Sequence, residues 1–384
     1  MLPGRFRDNA TWPTSRAYVA CAPRGRLMMM LVLKRVAALL LFCWASATAQ
    51  EGLEQDLTAL CEAKIARDRI PGLSCAAFVG DRIVFARGFG RSDVENDVPA
   101  TPETVYRLAS ISKPITALLV MQLVEEGELD LDRDLHGLVP EWSKKRWPVT
   151  VRQLLGHLGG VRHYQGESES TRRYPNQRAG LRRFAQDPLQ HQPGKRYLYS
   201  TYGFNLAAAA VETLREQPFA EVLAERIAAP AAAGSLQDDD AWRIIRHRAQ
   251  GYVRRMDKLE NSRLMDSSYK LGGGGLCSSA SDLARVAQAL LAGQLIRRET
   301  LEQMWQEQRT TAGEGTGYGL GFSLRTLDGE RQVGHSGAQS RVSTNLQLLP
   351  DRGVGAVVLC NLQGVKLGGL MRRLLRRLRQ EVPR

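Results

Sequence analysis

The chain has 384 residues, with 53 Lys plus Arg against 40 Asp plus Glu, a formal net charge of +13, and is 43% hydrophobic and 24% charged. That balance excludes a disordered, collagenous or disulfide-knot chain, and the length suits two modest domains or one core with a large insertion. Residues 1–49 and residues 365–384 each carry seven basic residues and one acidic residue, leaving 39 basic against 38 acidic between them. A near-neutral body of this kind is not a nucleic-acid-binding surface.

In chain order, Lys34-Arg35 precede an uncharged run from Val36 to Gln50, and Ala47-Thr48-Ala49 has the small-x-small pattern of a cleavage site. The run is 15 residues long, short of the roughly 20 that span a bilayer. Residues 28–49 therefore read as a signal peptide, with the true start among Met28 to Met30 and residues 1–27 without a structural role. The expectation is an exported, periplasmic or secreted protein. Its mature part keeps Cys61, Cys75, Cys277 and Cys360 with no C-x-x-C spacing, which reads as free core cysteine rather than a disulfide framework.

Leu53, Leu57, Leu60, Cys61 and Ile65 give a helical pattern over 51–69. Strand patterns follow over Leu73–Val79 and Arg82–Phe89, joined at Gly80-Asp81, a two-residue hairpin signal. Helical patterns cover Ile115–Glu126, Leu206–Glu216, Phe219–Ala229 and Ser281–Ala292. Strand patterns return over Gly319–Thr326, Arg331–His335, Ser343–Leu349 and Val354–Cys360, before a last helix over Leu367–Gln380. This order predicts an α+β fold: one antiparallel sheet flanked by terminal helices, with an inserted all-helical lobe. The sheet lobe takes about 50–110 and 310–384, the helical lobe about 115–310, within one domain over 50–384.

The histidines are His136, His157, His163, His191, His247 and His335, and no pair has i,i+2 or i,i+4 spacing, so no metal site is expected. No phosphate-cradling glycine loop follows a strand, so no cofactor is expected either. Gly334-His335-Ser336-Gly337 misses the G-x-S-x-G elbow by one position. What is present is Ser110-x-x-Lys113, which places both side chains on one face at a helix start. There the dipole favours developing negative charge, and a neutral lysine can take the serine proton. Taken alone the spacing recurs in any helix, and Ser110 or Ser112 reads equally as a helix cap. His157 reads as a loop-fixing histidine, Gly273 to Gly275 as points of close backbone approach, and Arg341 and Asp238-Asp239-Asp240 as solvated loop residues.

Downstream come Tyr197-Leu198-Tyr199-Ser200-Thr201 at the entry to an Ala-rich helix and Gly334-His335-Ser336-Gly337-Ala338 at a late strand. With Ser110-x-x-Lys113, in this order, the sequence resembles the serine β-lactamase and penicillin-binding-protein superfamily over roughly residues 55–365, closest to its class C-like branch. Gly159-Gly160-Val161-Arg162-His163-Tyr164 resembles the mitochondrial β-lactamase-like protease branch.

The resemblance implies Ser110 as acylated nucleophile, Lys113 as its proton acceptor and Tyr199 as a proton shuttle. It implies an oxyanion hole from the backbone N–H groups of Ser110 and Ala338, and substrate contacts at Thr201, His335, Ser336 and Gly337. Two positions depart from the family pattern: Thr201 stands for an asparagine, and His335 for a lysine that holds a substrate carboxylate. His335 is mostly neutral at pH 7, so the expected substrates are less anionic amides, peptides or esters.

Two other readings remain at this stage. One is a β-lactamase or D-alanyl-D-alanine carboxypeptidase, and the other a weakly catalytic ligand-binding or scaffolding relative. No E-x-x-L-N is present, which disfavours deacylation through a glutamate. The last helix places Leu367, Leu370, Met371, Leu374, Leu375 and Leu378 on one stripe with arginines opposite. That stripe suits packing on the sheet, with membrane-surface contact through the arginine face as the alternative.

Overall fold

The computed structural model describes residues 50–165 and 171–382. The leader expected over 28–49, and the start expected among Met28 to Met30, lie outside the described residues. Residues Gly52–Arg384 form one compact unit.

Its centre is an antiparallel sheet of seven strands. Three come early: β1 (Gly72–Val79), β2 (Arg82–Asp93) and β3 (Val98–Pro99). Four come late: β4 (Ser323–Leu327), β5 (Glu330–Gln339), β6 (Val342–Leu349) and β7 (Val354–Cys360). Their order across the sheet is β3-β2-β1-β7-β6-β5-β4, so the first and last strands meet in the middle. The register there pairs Ala76 with Val357 and Cys75 with Val358. β1, apart from the hydrogen-bonded Ser74, and β7 are apolar along their length because both faces of the sheet are covered.

Alternation of side chains divides the core in two. Ala76, Phe78, Val357 and Leu359 face the helical lobe, while Cys75, Ala77, Val358 and Cys360 face the terminal helices. The terminal helices are α1 (50–68), which buries Leu53, Leu57 and Cys61, and α5 (Gly368–Leu378), which buries Leu370, Met371, Leu374, Leu375 and Leu378. The stripe at i, i+3 and i+4 on the last helix therefore packs on the sheet. Its arginine face is partly neutralised: Arg376 and Arg379 pair with Asp328, and Arg377 with Asp56 and Glu381. Cys61, Cys75, Cys277 and Cys360 are all free and buried.

Between the two sets of strands run α2 (Ser112–Glu125), α3 (Thr201–Arg215) and α4 (Ala280–Leu291) with shorter helices. α2 is buried on every side from Ser112 to Leu123, which is why its sequence lacks a polar stripe. A small sheet formed by Tyr106–Arg107, Leu276–Ser278 and Gln237–Asp238 joins the helical segment to the start of α2. Several boundaries differ from the sequence reading. The helix expected at Leu206 starts at Thr201, capped by Ser200, whose hydroxyl accepts the Gly203 N–H at 2.9 Å. The strand expected to end at His335 runs on to Gln339, since pairing with β6 continues through Gln339 and Val342.

Leu374→Ala removes a fully buried side chain from the contact between α5 and the sheet. A cost of about 2–5 kcal/mol is expected in urea unfolding, with an unchanged denaturant slope.

Candidate active site

The chain enters α2 through a strained turn. Ala109 holds φ +50°, a left-handed conformation uncommon for a residue with a Cβ, immediately before Ser110. Ser110 lies in a short 3-10 turn, Ala109–Ile111, and the α-helix proper begins at Ser112. The nucleophile candidate thus sits just ahead of the helix expected to start with it. Two hydrogen bonds clamp the turn: the Leu108 N–H donates to the Leu276 carbonyl at 2.8 Å, and the Thr344 hydroxyl donates to the Leu108 carbonyl at 2.9 Å.

Two side chains meet at Ser110 Oγ. Lys113 Nζ lies 3.1 Å from Ser110 Oγ, and the Tyr199 hydroxyl donates to Ser110 Oγ at 2.8 Å. Lys113 is fully buried and is also 2.6 Å from the Gly273 carbonyl and 3.3 Å from Thr201 Oγ1. Among the described residues no carboxylate lies within ion-pair reach of it. Burial, then the nearby charge of Lys270, holds its pKa well below the ordinary lysine value. A neutral amine that donates to the Gly273 carbonyl keeps a lone pair for the serine proton. Tyr199 is displaced the other way: burial pushes its phenol pKa up, so it stays protonated and can donate.

Local packing explains why these groups converge. A Cβ on Gly273 would stand 2.4 Å from Thr201 Cγ2 and 2.6 Å from the Thr201 carbonyl, so only glycine lets this carbonyl reach Lys113. Thr201, expected to contact substrate, is buried and spends its hydroxyl on Lys113, while its N–H donates to His163 Nδ1 at 3.1 Å. His157 fixes the next residue back, accepting the Ser200 N–H at Nδ1 at 3.1 Å. Its ring packs against Tyr199, Tyr318 and Phe204 with centroids 4.3, 4.7 and 5.2 Å away.

On the other side stands β5. Beyond Gly334 it has no strand partner on its outer side among the described residues, because pairing with β4 ends at Gly334 and Ser323. Ser336 and Ala338 are exposed along this edge while His335 and Gly337 are buried. A Cβ on Gly337 would meet Thr344 Oγ1 at 2.2 Å, the Leu108 carbonyl at 2.4 Å and Ala109 Cβ at 3.0 Å, so glycine sets the spacing between β5 and the Ser110 turn. That proximity places Ser110 and Ala338 along the same groove.

His335 is 5% exposed, and both its nitrogens are engaged. Nδ1–H donates to the Ser336 carbonyl at 2.6 Å, which leaves Nε2 to accept from the Tyr318 hydroxyl at 2.9 Å. Burial, reinforced by Lys113, lowers its pKa to about 3. It is an uncharged residue of the groove wall, with both nitrogens engaged within the protein. Sequence reasoning missed Tyr318 and Lys270. Lys270 is buried and lies 3.0 Å from Gln339 Oε1 and 3.6 Å from Met265 Sδ. Its only signal was position, three residues before Gly273.

A groove of about 590 Å³ opens over Ser110 and Tyr199 and runs along Ser336 to Ala338. Its far wall carries Gln332, Asn345 and Gln347, and its rim Arg325, Lys366 and Arg372. The two glutamines and the asparagine form a chain, Gln332 Nε2 to Gln347 Oε1 at 2.8 Å and Gln347 Nε2 to Asn345 Oδ1 at 3.0 Å. None of the three cations has an ion-pair partner among the described residues.

A buried lysine and a tyrosine on one serine oxygen, beside an open strand edge, are the features of a serine hydrolase. Residues 54–380 match the family model described as Beta-lactamase, and the chain belongs to that family. It is 27% identical over 407 residues to the human serine beta-lactamase-like protein LACTB, mitochondrial, covering 77% of this chain and 74% of that protein. Among solved structures it is similar to the octameric penicillin-binding protein homologue from Pyrococcus abyssi, with TM-score 0.72, 27% identity, and 83% and 76% of the two chains covered. It shares a fold with EstCE1, a hydrolase with promiscuous acyltransferase activity, at TM-score 0.73 and 21% identity over 87% and 99% of the chains.

With His335 neutral above about pH 3, the acid limb of kcat/KM belongs to Lys113. The expected limb lies well below the usual lysine range, with activity gained as pH rises through it, and His335→Gln leaves its midpoint in place. A limb that moves with His335→Gln would reassign the titration.

Gly337→Ala is expected to lower kcat about 10²-fold with little change in KM, because displacing an oxyanion donor costs that much. Steady-state kinetics check this.

Proposed function

We propose that the chain is an exported hydrolase that cleaves an amide, peptide or ester through an acyl-enzyme on Ser110. The observation that carries this reading is the pair of contacts on one oxygen: Lys113 Nζ at 3.1 Å and Tyr199 Oη at 2.8 Å from Ser110 Oγ. In the first half-reaction Lys113 takes the Ser110 proton as Oγ bonds to the substrate carbonyl carbon. The oxyanion is held by the N–H groups of Ser110 and Ala338. The carbon–nitrogen or carbon–oxygen bond then breaks, and the leaving group takes a proton relayed through Lys113 and Tyr199. In the second half, water gives its proton to the same pair, attacks the acyl carbon and frees Ser110. Export rests on the charged and apolar pattern of residues 28–49.

The rim of the groove supports a substrate class more acidic than the replacement of a lysine by His335 alone would suggest. Arg325 from β4 and Lys366 and Arg372 around the start of α5 supply positive charge along the groove wall. An acidic group on the substrate, away from the scissile bond, would meet them. The same rim keeps a second reading in view, a β-lactamase or D-alanyl-D-alanine carboxypeptidase, since both take carboxylate substrates. Membrane contact is less well supported, because Arg376, Arg377 and Arg379 pair within the protein.

Intact mass after a serine-reactive phosphonate tests the nucleophile. One adduct is expected on wild type and none on Ser110→Ala. No adduct on wild type would favour a non-catalytic binding relative, and an adduct that survives Ser110→Ala would move the nucleophile elsewhere.

Matched ester substrates with acidic and neutral tails test the rim, with nitrocefin run beside them for the second reading. For the double variant Arg325→Gln, Arg372→Gln, a loss of about tenfold in kcat/KM is expected for the acidic tail, from two exposed charge contacts of under ~1 kcal/mol each. The neutral tail should change less than about twofold on the same arithmetic.

A further inference from the structure

A second cavity, of about 30 Å³, shares no residue with the groove and is lined by Arg107, Arg248 and Arg341 with Tyr106, Val342 and Asn361 among their neighbours. Three segments deliver the guanidinium groups. Arg107 closes the short strand Tyr106–Arg107 that leads into Ser110. Arg248 follows in the loop that bridges to Val105. Arg341 sits in the turn between β5 and β6 with φ +81°, its Cβ packed against the Gly251 backbone. The sequence reading of Arg341 as a solvated loop residue is thus corrected: its stem is packed, and Arg341 Nη2 donates to Gln250 Oε1 at 2.8 Å.

The counter-charge is one carboxylate. Asp239 is 1% exposed, with Oδ2 2.7 Å from Arg107 Nε and Oδ1 4.0 Å from Arg248 Nε. The run Asp238 to Asp240, expected as a solvated loop, is instead divided by the small sheet. Asp238 and Asp240 face outward to Arg243 and Arg173, and Asp239 turns inward. Arg107 Nη2 donates to the Met265 carbonyl at 2.8 Å and Arg248 Nη2 to the Asp240 carbonyl at 2.6 Å. Arg107 is 8% exposed, and its Nη1 has no acceptor among the described residues. Burial and the two neighbouring guanidinium groups lower the proton affinity of Arg341, as an excess of positive charge requires.

Three cations and one carboxylate around a cavity leave a net excess of two positive charges, with Arg107 buried and the Arg248 and Arg341 side chains partly exposed. A buried donor and a buried charge each need a partner. Water could accept from Arg107 Nη1 but would leave the charge standing. The volume suits a single water-sized occupant and is too small for phosphate or sulfate. We propose that this cavity is a binding site for one monatomic anion of the halide class, held by Arg107, Arg248 and Arg341. So bound, the anion ties the strand entering Ser110 to the turn that follows Ala338, and it acts as a positioning ligand for the two oxyanion donors.

Anomalous diffraction from crystals of the protein grown in bromide tests the site directly. A bromide peak is expected within hydrogen-bonding distance of Arg107 Nη1, and an ordered water there instead would overturn the proposal. In solution, thermal unfolding is compared in sodium chloride and sodium gluconate at equal ionic strength. Chloride at tenfold above its dissociation constant should raise the melting temperature by about 3 °C. Arg341→Gln and Arg248→Gln should each abolish that difference. Equal melting temperatures for wild type in the two salts would also overturn it. Both wild-type measurements stand if either variant fails to fold, and neither depends on the substrate or on turnover.

Discussion

The arrangement around Ser110 depends on one costly act, the complete burial of the Lys113 amine with no carboxylate beside it. A charged ammonium there would lose several kcal/mol of hydration, so burial holds its pKa well below the ordinary lysine value. Much of the helical lobe serves that end. α2 carries Lys113 into the interior, Gly273 offers a carbonyl that only a residue without Cβ can bring so close, and Thr201 closes the third side. The same burial lowers the pKa of Lys113 and raises that of Tyr199, so one environment displaces the two groups in opposite directions.

Histidine is used here without charge. His157 and His335 are both buried near Lys113, and each is held neutral by desolvation and by that lysine. Their bonds set loop and strand positions: His157 accepts from the Ser200 N–H, and His335 joins Ser336 to Tyr318. Between them the rings of Tyr199 and Tyr318 fill the wall. The bonded nitrogens fix the positions of loop and strand, while His157 Nε2 is buried without a hydrogen-bond partner among the described residues.

Positive charge is sorted by place. At the C-terminal helix, Arg376, Arg377 and Arg379 are paired with Asp328, Asp56 and Glu381, whereas Lys366 and Arg372 face the groove with Arg325. A separate cluster, Arg107, Arg248 and Arg341, lies behind the small sheet around Asp239. The first group pairs across the packing of α5, the second lines the groove over Ser110, and the third surrounds a cavity beside the strand that leads into Ser110.

The sequence by itself determined the architecture and the reacting groups. Short apolar runs with the Gly80-Asp81 turn mark the strands, the leucine stripe of α5 marks its buried face, and the order of Ser110, Lys113, Tyr199 and Ala338 marks the candidate site, because these patterns are local or ordered along the chain. Only the tertiary structure decided what long-range packing controls. His335 could be read as a replaced substrate contact, but its nitrogens are occupied by Ser336 and by Tyr318, 17 residues away. Asp239 and Arg341 looked like loop charges, and burial made them part of a charged interior. A residue's chemistry is written in its side chain, but its protonation state and its partners depend on which distant segments remove its water, and no local pattern carries that information.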